Sequence, residues 1–198
     1  MSVNSYYIPK NTYATMYDHM FYGKTEFCSY LDLYNDSLTI KQSTLTTGGI
    51  ESYAEDKVRG TCQFVGNPTQ FMYHSHPLTS RSYPSTEDVL KVLKKPGKYL
   101  LSIISTRWGI YVIKHTRESL RQKIEEQDLQ KYKKMISNTL SVIGFMENDK
   151  GYKQGVYSSE LKNDELNKIN DVLHTIEMNT KLDVKFYKWN NALTHVYV

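Results

Sequence analysis

Strand-like and helix-like segments alternate through the middle of the chain, and this alternation constrains the fold more than any other feature. Residues 70–73 read as a strand and residues 86–94 as a helix that Pro96-Gly97 ends. Residues 99–105 and 108–114 then read as two strands joined by a short connection. Interleaved strands and helices pack as a sheet with helices on its faces. The sequence therefore predicts an α/β (α+β) fold with a mixed sheet flanked by helices.

Other strand predictions come from runs of β-branched and aromatic residues between turn-forming residues. Residues 27–33 and 38–42 predict a hairpin, and residues 61–65 predict a further strand. Residues 51–57 are polar and predict a loop or a short helix. Near the end of the chain, residues 182–189 predict a returning strand.

Three segments show apolar residues at helical spacing. The first predicts a helix over residues 12–22, which Asn11 or Thr12 would cap. Residues 116–146, with a break near Gln127-Asp128, and residues 159–180 predict two long amphipathic helices. We expect these terminal helices to pack on their own domain, with the docking of a protein partner as the less favoured alternative.

Composition narrows the class of protein. Net charge is +4, from 25 Lys and Arg against 21 Asp and Glu, and this excess does not indicate nucleic-acid binding. No run approaches the eighteen or so apolar residues of a membrane span, and the N-terminus does not resemble a secretion signal. We therefore expect no membrane partner and a location in the cytoplasm or nucleus.

The chain contains two cysteines, Cys28 and Cys62. Two thiols fit a reduced intracellular protein better than a disulfide framework, and a single bridge stays open as an alternative. Cys28 is expected to be a small buried apolar side chain rather than a thiolate ligand.

Residues 74–88 hold three metal-ligand side chains and a hydroxyl. His74 and His76 lie two apart, so on an extended segment both imidazoles point to one side. Asp88 supplies a carboxylate beyond a loop, and Ser85 lies three positions before it. Simpler interpretations exist, because paired histidines arise by chance and Ser85 with Asp88 is a capping box at a helix start. The order His-x-His-Pro, loop, Ser-x-x-Asp, after a strand and before a helix, favours a metal site.

That order resembles the signature of the JAMM, or MPN-plus, metalloproteases over about residues 6–115. The resemblance implies that His74, His76 and Asp88 bind Zn²⁺. It further implies that Glu26, after the first helix, acts as general base, and that Ser85 supports the oxyanion. The whole chain, residues 1–198, would form a single domain of this type, with residues 116–198 as a helical elaboration of the core.

One departure from the family pattern concerns the loop after the second histidine. Family members usually have seven residues between that histidine and the serine, whereas the loop from Pro77 to Pro84 has eight. The additional residue must be accommodated by a bulge that leaves Asp88 in place. Arg81 and Tyr83 in this loop are candidates for substrate contact, although an ordinary loop role is the favoured interpretation.

The resemblance implies a zinc isopeptidase or peptidase that removes ubiquitin or a ubiquitin-like modifier. Only 47 residues separate Glu26 from His74, a short span for a segment that helps deubiquitinating relatives hold ubiquitin. Two alternatives remain open at this point. One is an MPN-type scaffold or binding subunit of a larger complex, and the other is a zinc protease that processes a non-ubiquitin polypeptide.

Overall fold

The computed structural model describes residues 5–51, 59–190 and 195–198. These residues form eleven strands: β1 (Tyr7–Pro9), β2 (Phe27–Tyr34), β3 (Ser37–Ile40), β4 (Thr46–Thr47), β5 (Gly49–Glu51), β6 (Arg59–Thr61), β7 (Phe71–Ser75), β8 (Leu101–Thr106), β9 (Gly109–His115), β10 (Leu182–Lys188) and β11 (His195–Tyr197). They also form five α-helices: α1 (Lys10–Tyr22), α2 (Thr86–Leu93), α3 (Arg117–Arg121), α4 (Glu126–Asp149) and α5 (Asn163–Thr180).

One mixed sheet organises the molecule. Its strand order is β10-β9-β8-β7-β2-β3-β1-β11, and β4 pairs with β2 beside this path. The β7–β8 and β1–β3 pairs are parallel, and the other pairs are antiparallel. Strands β5 and β6 form a separate two-stranded sheet. The predicted α/β class, a mixed sheet flanked by helices, is confirmed.

Apolar side chains alternate between two cores on opposite faces of the sheet. Ile103 and Val112 pack with residues of α1, whereas Ile104 and Tyr111 pack with residues of α2, α4 and α5. This alternation follows from the two-residue period of a strand. The central strands β8 and β9 are therefore apolar on both faces, and their side chains pack against helices on each side of the sheet.

The N-terminal elements are of the predicted types, but they begin or end at other residues than predicted. Helix α1 begins at Lys10 after Pro9, whose φ of −61° suits the residue before a helix, so neither Asn11 nor Thr12 is its N-cap. The predicted strand over residues 61–65 is wrong beyond Thr61. The next residue, Cys62, lies outside β6 and is bonded to Cys28 on β2.

The C-terminal helices pack on the domain, as expected. Ile143 of α4 and Ile176 of α5 are buried in the same core cluster as α2. The helix predicted over residues 116–146 is divided into α3 and α4 by residues 122–125, slightly before the expected break near Gln127-Asp128. The helix predicted over residues 159–180 begins later than expected, at Asn163. Strand β10 confirms the returning strand.

Two further expectations concern residues 51–57 and membrane insertion. Most of the predicted loop over residues 51–57 lies outside the described residues. Among the helices of the described part of the chain, none combines the length and apolarity needed to cross a bilayer.

Candidate metal centre

The two histidines lie at the end of β7, between β2 and β8. His74 follows Met72 by two residues and therefore shares its side of the sheet, where the core cluster contains residues of α2. The amide of His76 donates to the Ser105 carbonyl at 2.8 Å and continues the pairing with β8 past the end of the strand. The two imidazole centroids are 5.2 Å apart, so the predicted pairing of the rings on one side is present.

Asp88 reaches the histidines from the first turn of α2. Ser85 is the N-cap, and its amide and hydroxyl both donate to Asp88 Oδ2, at 2.6 and 2.7 Å. The Asp88 amide in turn donates to Ser85 Oγ at 3.2 Å. The capping box is thus present, and it leaves Oδ1 of Asp88 facing His74 Nε2 at 3.3 Å. The capping box would be compatible with a bound metal ion, because its hydrogen bonds use Oδ2 and leave Oδ1 for another partner.

His74, His76 and Asp88 together form a group that could hold a metal ion. One ligand atom from each residue lies within 4.8 Å of the other two. Both histidines are buried, and the Asp88 side chain is 17% exposed. The eight-residue loop from Pro77 to Pro84 therefore does not displace Asp88 from the histidines.

Glu26 completes the cluster from the residue just before β2. Its Oε1 atom is 3.9 Å from His76 Nε2. Burial raises the pKa of the Glu26 carboxyl to about 7; His74 and Arg81 act to lower this pKa, and Asp88 acts to raise it. A carboxyl with a pKa near neutrality is suited to take up and release a proton during a reaction at physiological pH.

Burial and mutual contacts set the charge states of the ligand group. Burial, followed by the neighbouring His74, lowers the pKa of His76 to about 3. Burial alone would raise the pKa of Asp88, but His74, His76 and the Ser85 hydroxyl more than offset it, and the pKa is lowered. Burial opposes protonation of His74, yet the Asp88 carboxylate outweighs it and raises that pKa. A neutral imidazole and an ionised carboxylate are the forms that bind metal ions, and the lowered pKa values of His76 and Asp88 favour these forms.

These residues line a cleft of about 410 Å³. Its walls include Phe64, Arg81 and Lys91. The Lys91 ammonium lies 4.0 Å from the centroid of the Phe64 ring, a distance typical of a cation–π contact. Arg81 thus lines the cleft, whereas Tyr83 packs against the core cluster.

The expectation of two free thiols is wrong, because Cys28 and Cys62 form a disulfide with Cα atoms 5.7 Å apart. Cys28 is buried as expected, but it is bonded rather than free, and neither sulfur is a thiolate ligand. Because Cys62 also lines the cleft, the bridge ties one cleft wall to β2. The cysteine count no longer supports an intracellular location, which stays a prediction.

The sequence patterns did not predict the buried ion pair between Arg107 and Glu147, which contacts the loop of residues 77–84 between His76 and Ser85, here called the metal-site loop. A signal for Glu147 exists in the periodicity of α4. The buried residues Ile136, Leu140 and Ile143 define an apolar stripe, and Glu147 occupies its next position, four residues later. A carboxylate on a buried stripe indicates a buried partner. Arg107 lies in a short connection between strands, and its position carries no comparable signal.

Comparison with protein-family models, with curated proteins and with solved structures finds no match to this chain. The resemblance to the JAMM family therefore rests on the motif and its spacing alone. Membership of that family stays a prediction.

Proposed function

We propose that the protein is a zinc-dependent hydrolase that cleaves an amide bond, either a peptide bond or an isopeptide bond to a lysine side chain. The observation that carries this proposal is the convergence of His74, His76 and Asp88, with Glu26 Oε1 3.9 Å from His76 Nε2. Two histidines and one carboxylate are a ligand set of catalytic zinc sites, which keep a fourth position for water or substrate. Adjacent ligands of a tetrahedral zinc ion are about 3.4 Å apart, and His74 Nε2 and Asp88 Oδ1 are separated by 3.3 Å.

Zinc in this site would supply Lewis-acid chemistry and lower the pKa of a bound water toward neutrality. Glu26 is the residue suited to move the proton. Its carboxylate would accept a proton from the attacking water at Oε1 and donate it to the nitrogen of the leaving amine. Burial raises the pKa of this carboxyl to about 7 in the metal-free protein, and the charge of a bound zinc ion would favour its ionised, proton-accepting form.

Ser85 is proposed to donate a hydrogen bond to the oxyanion that develops on the scissile carbonyl. In the structure its hydroxyl donates to Asp88 Oδ2 at 2.7 Å, and Ser85 lines the cleft. The Ser85 amide holds the same carboxylate oxygen, so Asp88 keeps one hydrogen bond when the hydroxyl turns toward substrate. Donation of this kind lowers the barrier because it strengthens as charge develops.

Ubiquitin or a ubiquitin-like conjugate is the proposed substrate class, on the strength of the motif. A flexible C-terminal tail can bind as an added strand where a sheet edge is open. Strand β7 is paired on both sides and cannot accept such a tail. Within the described residues, β5 and β6 pair only with each other, so this hairpin in the span between Glu26 and His74 offers open edges.

The test combines metal content with hydrolysis of ubiquitin conjugates. Purified protein is expected to contain about one zinc ion per chain and to cleave a panel of diubiquitins. Glu26→Gln removes the proton acceptor and is expected to lower the rate by about 100-fold or more while zinc stays bound. Asp18→Asn, a substitution of an exposed carboxylate of α1, is the control and should leave the rate unchanged.

Other results separate this proposal from its alternatives. Stoichiometric zinc without hydrolysis of any ubiquitin-like conjugate would favour the scaffold function or a protease with another polypeptide substrate. Cleavage of an unrelated peptide library that depends on Glu26 would identify the protease. Protein that neither retains zinc nor binds it when supplied would contradict the metal site itself.

A further inference from the structure

The guanidinium of Arg107 donates hydrogen bonds to the backbone of the loop between His76 and Ser85. One nitrogen, Nη1, donates to the Leu78 carbonyl at 3.0 Å and to the Ser80 carbonyl at 3.1 Å. The other, Nη2, donates to Glu147. Arg107 is 3% exposed, so these contacts lie inside the protein, where solvent does not compete for them. A planar fork of donors is well suited to hold several acceptors in a fixed arrangement.

Glu147 links this arrangement to the next part of the loop. The same oxygen that accepts from Arg107, Oε1, also accepts from the amide of Ser82. Glu147 belongs to α4 and is separated from Ser82 by 65 positions in the sequence. Helix α4, from the part of the chain outside the motif, therefore fixes the backbone of the metal-site loop.

The residue between these two anchored positions contacts a metal ligand directly. Arg81 lies between Ser80, whose carbonyl Arg107 holds, and Ser82, whose amide Glu147 holds. The Arg81 carbonyl is 3.2 Å from His76 Nδ1. Because a carbonyl only accepts, Nδ1 must carry the hydrogen, and Nε2 keeps the lone pair that faces Asp88 and Glu26.

We propose that Arg107 and Glu147 are positioning residues that hold residues 78–82 so that the Arg81 carbonyl fixes the tautomer and orientation of His76. Partners of this kind, which bind the second nitrogen of a ligating histidine, keep the ligand ready for a metal ion. The inference rests on the proposed metal site. It also assigns a role to the loop with its additional residue, since that loop supplies the carbonyl.

A purely structural ion pair would contribute stability without acting on His76, so the test must separate the two. Arg107→Lys and Glu147→Asp keep both charges but change the geometry: a lysine lacks the fork, and an aspartate is too short to hold both partners. Each variant therefore avoids leaving an uncompensated buried charge, which would unfold the protein for unrelated reasons.

A matched control exists elsewhere in the molecule. Glu165 accepts from Lys150 Nζ at 2.8 Å and from the backbone amide of Lys162 at 2.7 Å. It thus combines a cation and a backbone amide as Glu147 does, at a cap of α5 rather than at the loop. Glu165→Asp makes the same chemical change without altering the residues that hold His76.

The first readout uses metal-free protein, in which the tautomer of His76 is measured by long-range ¹H–¹⁵N NMR. The unmodified protein and Glu165→Asp are expected to show His76 with its hydrogen on Nδ1. Arg107→Lys and Glu147→Asp are expected to show a mixture of the two tautomers. Zinc affinity, measured by competition with a chromophoric chelator, should fall by about 10- to 100-fold in these two variants and less than about twofold in Glu165→Asp.

Folded Arg107→Lys and Glu147→Asp proteins that match Glu165→Asp in both readouts would overturn the inference. If neither variant folds, hydrogen exchange of the unmodified protein tests whether Glu147 anchors the loop. The Ser82 amide should then exchange only with global unfolding, and rapid exchange would contradict the anchoring by Glu147. Lack of hydrolysis by the unmodified protein would contradict the proposed function alone, because the tautomer is read without metal or substrate.

Discussion

The candidate site is built from two parts that reach the cleft by different routes. His74, His76, Ser85 and Asp88 come from one stretch of strand, loop and helix. The second part is gathered from distant positions: Glu26 lies before β2, the Cys28–Cys62 bond spans 34 positions, and Glu147 contacts Ser82 across 65 positions. The local part supplies the candidate metal ligands, and the distant part supplies the proposed base, a cleft wall and the support of the loop.

This difference separates two kinds of effect. A substitution of His74, His76 or Asp88 removes a candidate ligand atom and should strongly weaken metal binding with little change in the rest of the fold. A change in the distant part alters how the elements are held together, so it should change stability as well. Measuring metal affinity and unfolding free energy on the same variants therefore distinguishes the two parts.

The largest effect is expected from loss of a ligand in the local part. Structural zinc sites with four ligands have binding free energies of about 10–16 kcal/mol, or about 2.5–4 kcal/mol for each ligand, so His74→Gln should weaken zinc binding by about 100- to 1,000-fold. His174→Gln is the control, since that histidine is exposed on α5. Chelator competition measures the affinities. Retention of zinc by His74→Gln at the affinity of the control would show that the metal lies elsewhere.

The next effect concerns the disulfide of the distant part. A bridge that closes a loop of this length stabilises the folded state by about 4 kcal/mol, chiefly because it restricts the unfolded chain. Reduction by a dithiol is therefore expected to lower the unfolding free energy by about that amount. Urea unfolding with and without reductant measures it.

A double variant, Cys28→Ala with Cys62→Ala, provides the control for the reductant. Its unfolding free energy should match that of the reduced protein and should not change when the dithiol is added. Titration of thiols in the unreduced protein should find none, as expected for two bonded cysteines. Two reactive thiols under these conditions would contradict the bridge, and the cleft wall at Cys62 would then be held by packing alone.

The elements and the local part of the site follow from the sequence because short-range patterns determine them. The periodicity of α2 and the strand character of β8 and β9 are properties of consecutive residues, and so is the capping box of Ser85 and Asp88. The distant part depends on which elements meet in three dimensions. Nothing near Cys28 in the sequence identifies Cys62 as its partner.

Glu147 shows which property of a residue in the distant part a single sequence can predict. Its position on the buried stripe of α4 indicates that the carboxylate is buried and requires a partner. The stripe does not identify that partner, because Arg107 lies 40 positions away and is brought near only by packing of α4 on the sheet side that carries α2. The predicted start of α1 is two or three residues too late, because Asn11 and Thr12 are both residue types that commonly cap a helix.

The smallest effect is expected at His115, which connects β9 to the helix that carries Asp88. His115 Nε2 donates to the Val92 carbonyl at 2.9 Å, so Nδ1 accepts from the Ser119 hydroxyl at 2.8 Å. Burial lowers the pKa of His115 below its usual 6.5, and the bond to Val92 opposes this only in part. A lowered pKa means that the unfolded chain takes up a proton at higher pH than the folded protein does.

It follows that the contribution of His115 to stability is complete above pH 6.5 and is lost as the pH falls below that value, with a slope of at most about 1.4 kcal/mol per pH unit. His115→Gln keeps a donor for the Val92 carbonyl but cannot titrate. The difference in unfolding free energy between the unmodified protein and this variant should therefore shrink from pH 7 to pH 5. A difference that stays constant over this range would mean that His115 titrates alike in both states. In that case the connection between β9 and α2 would depend on the shape of the imidazole and not on its neutrality.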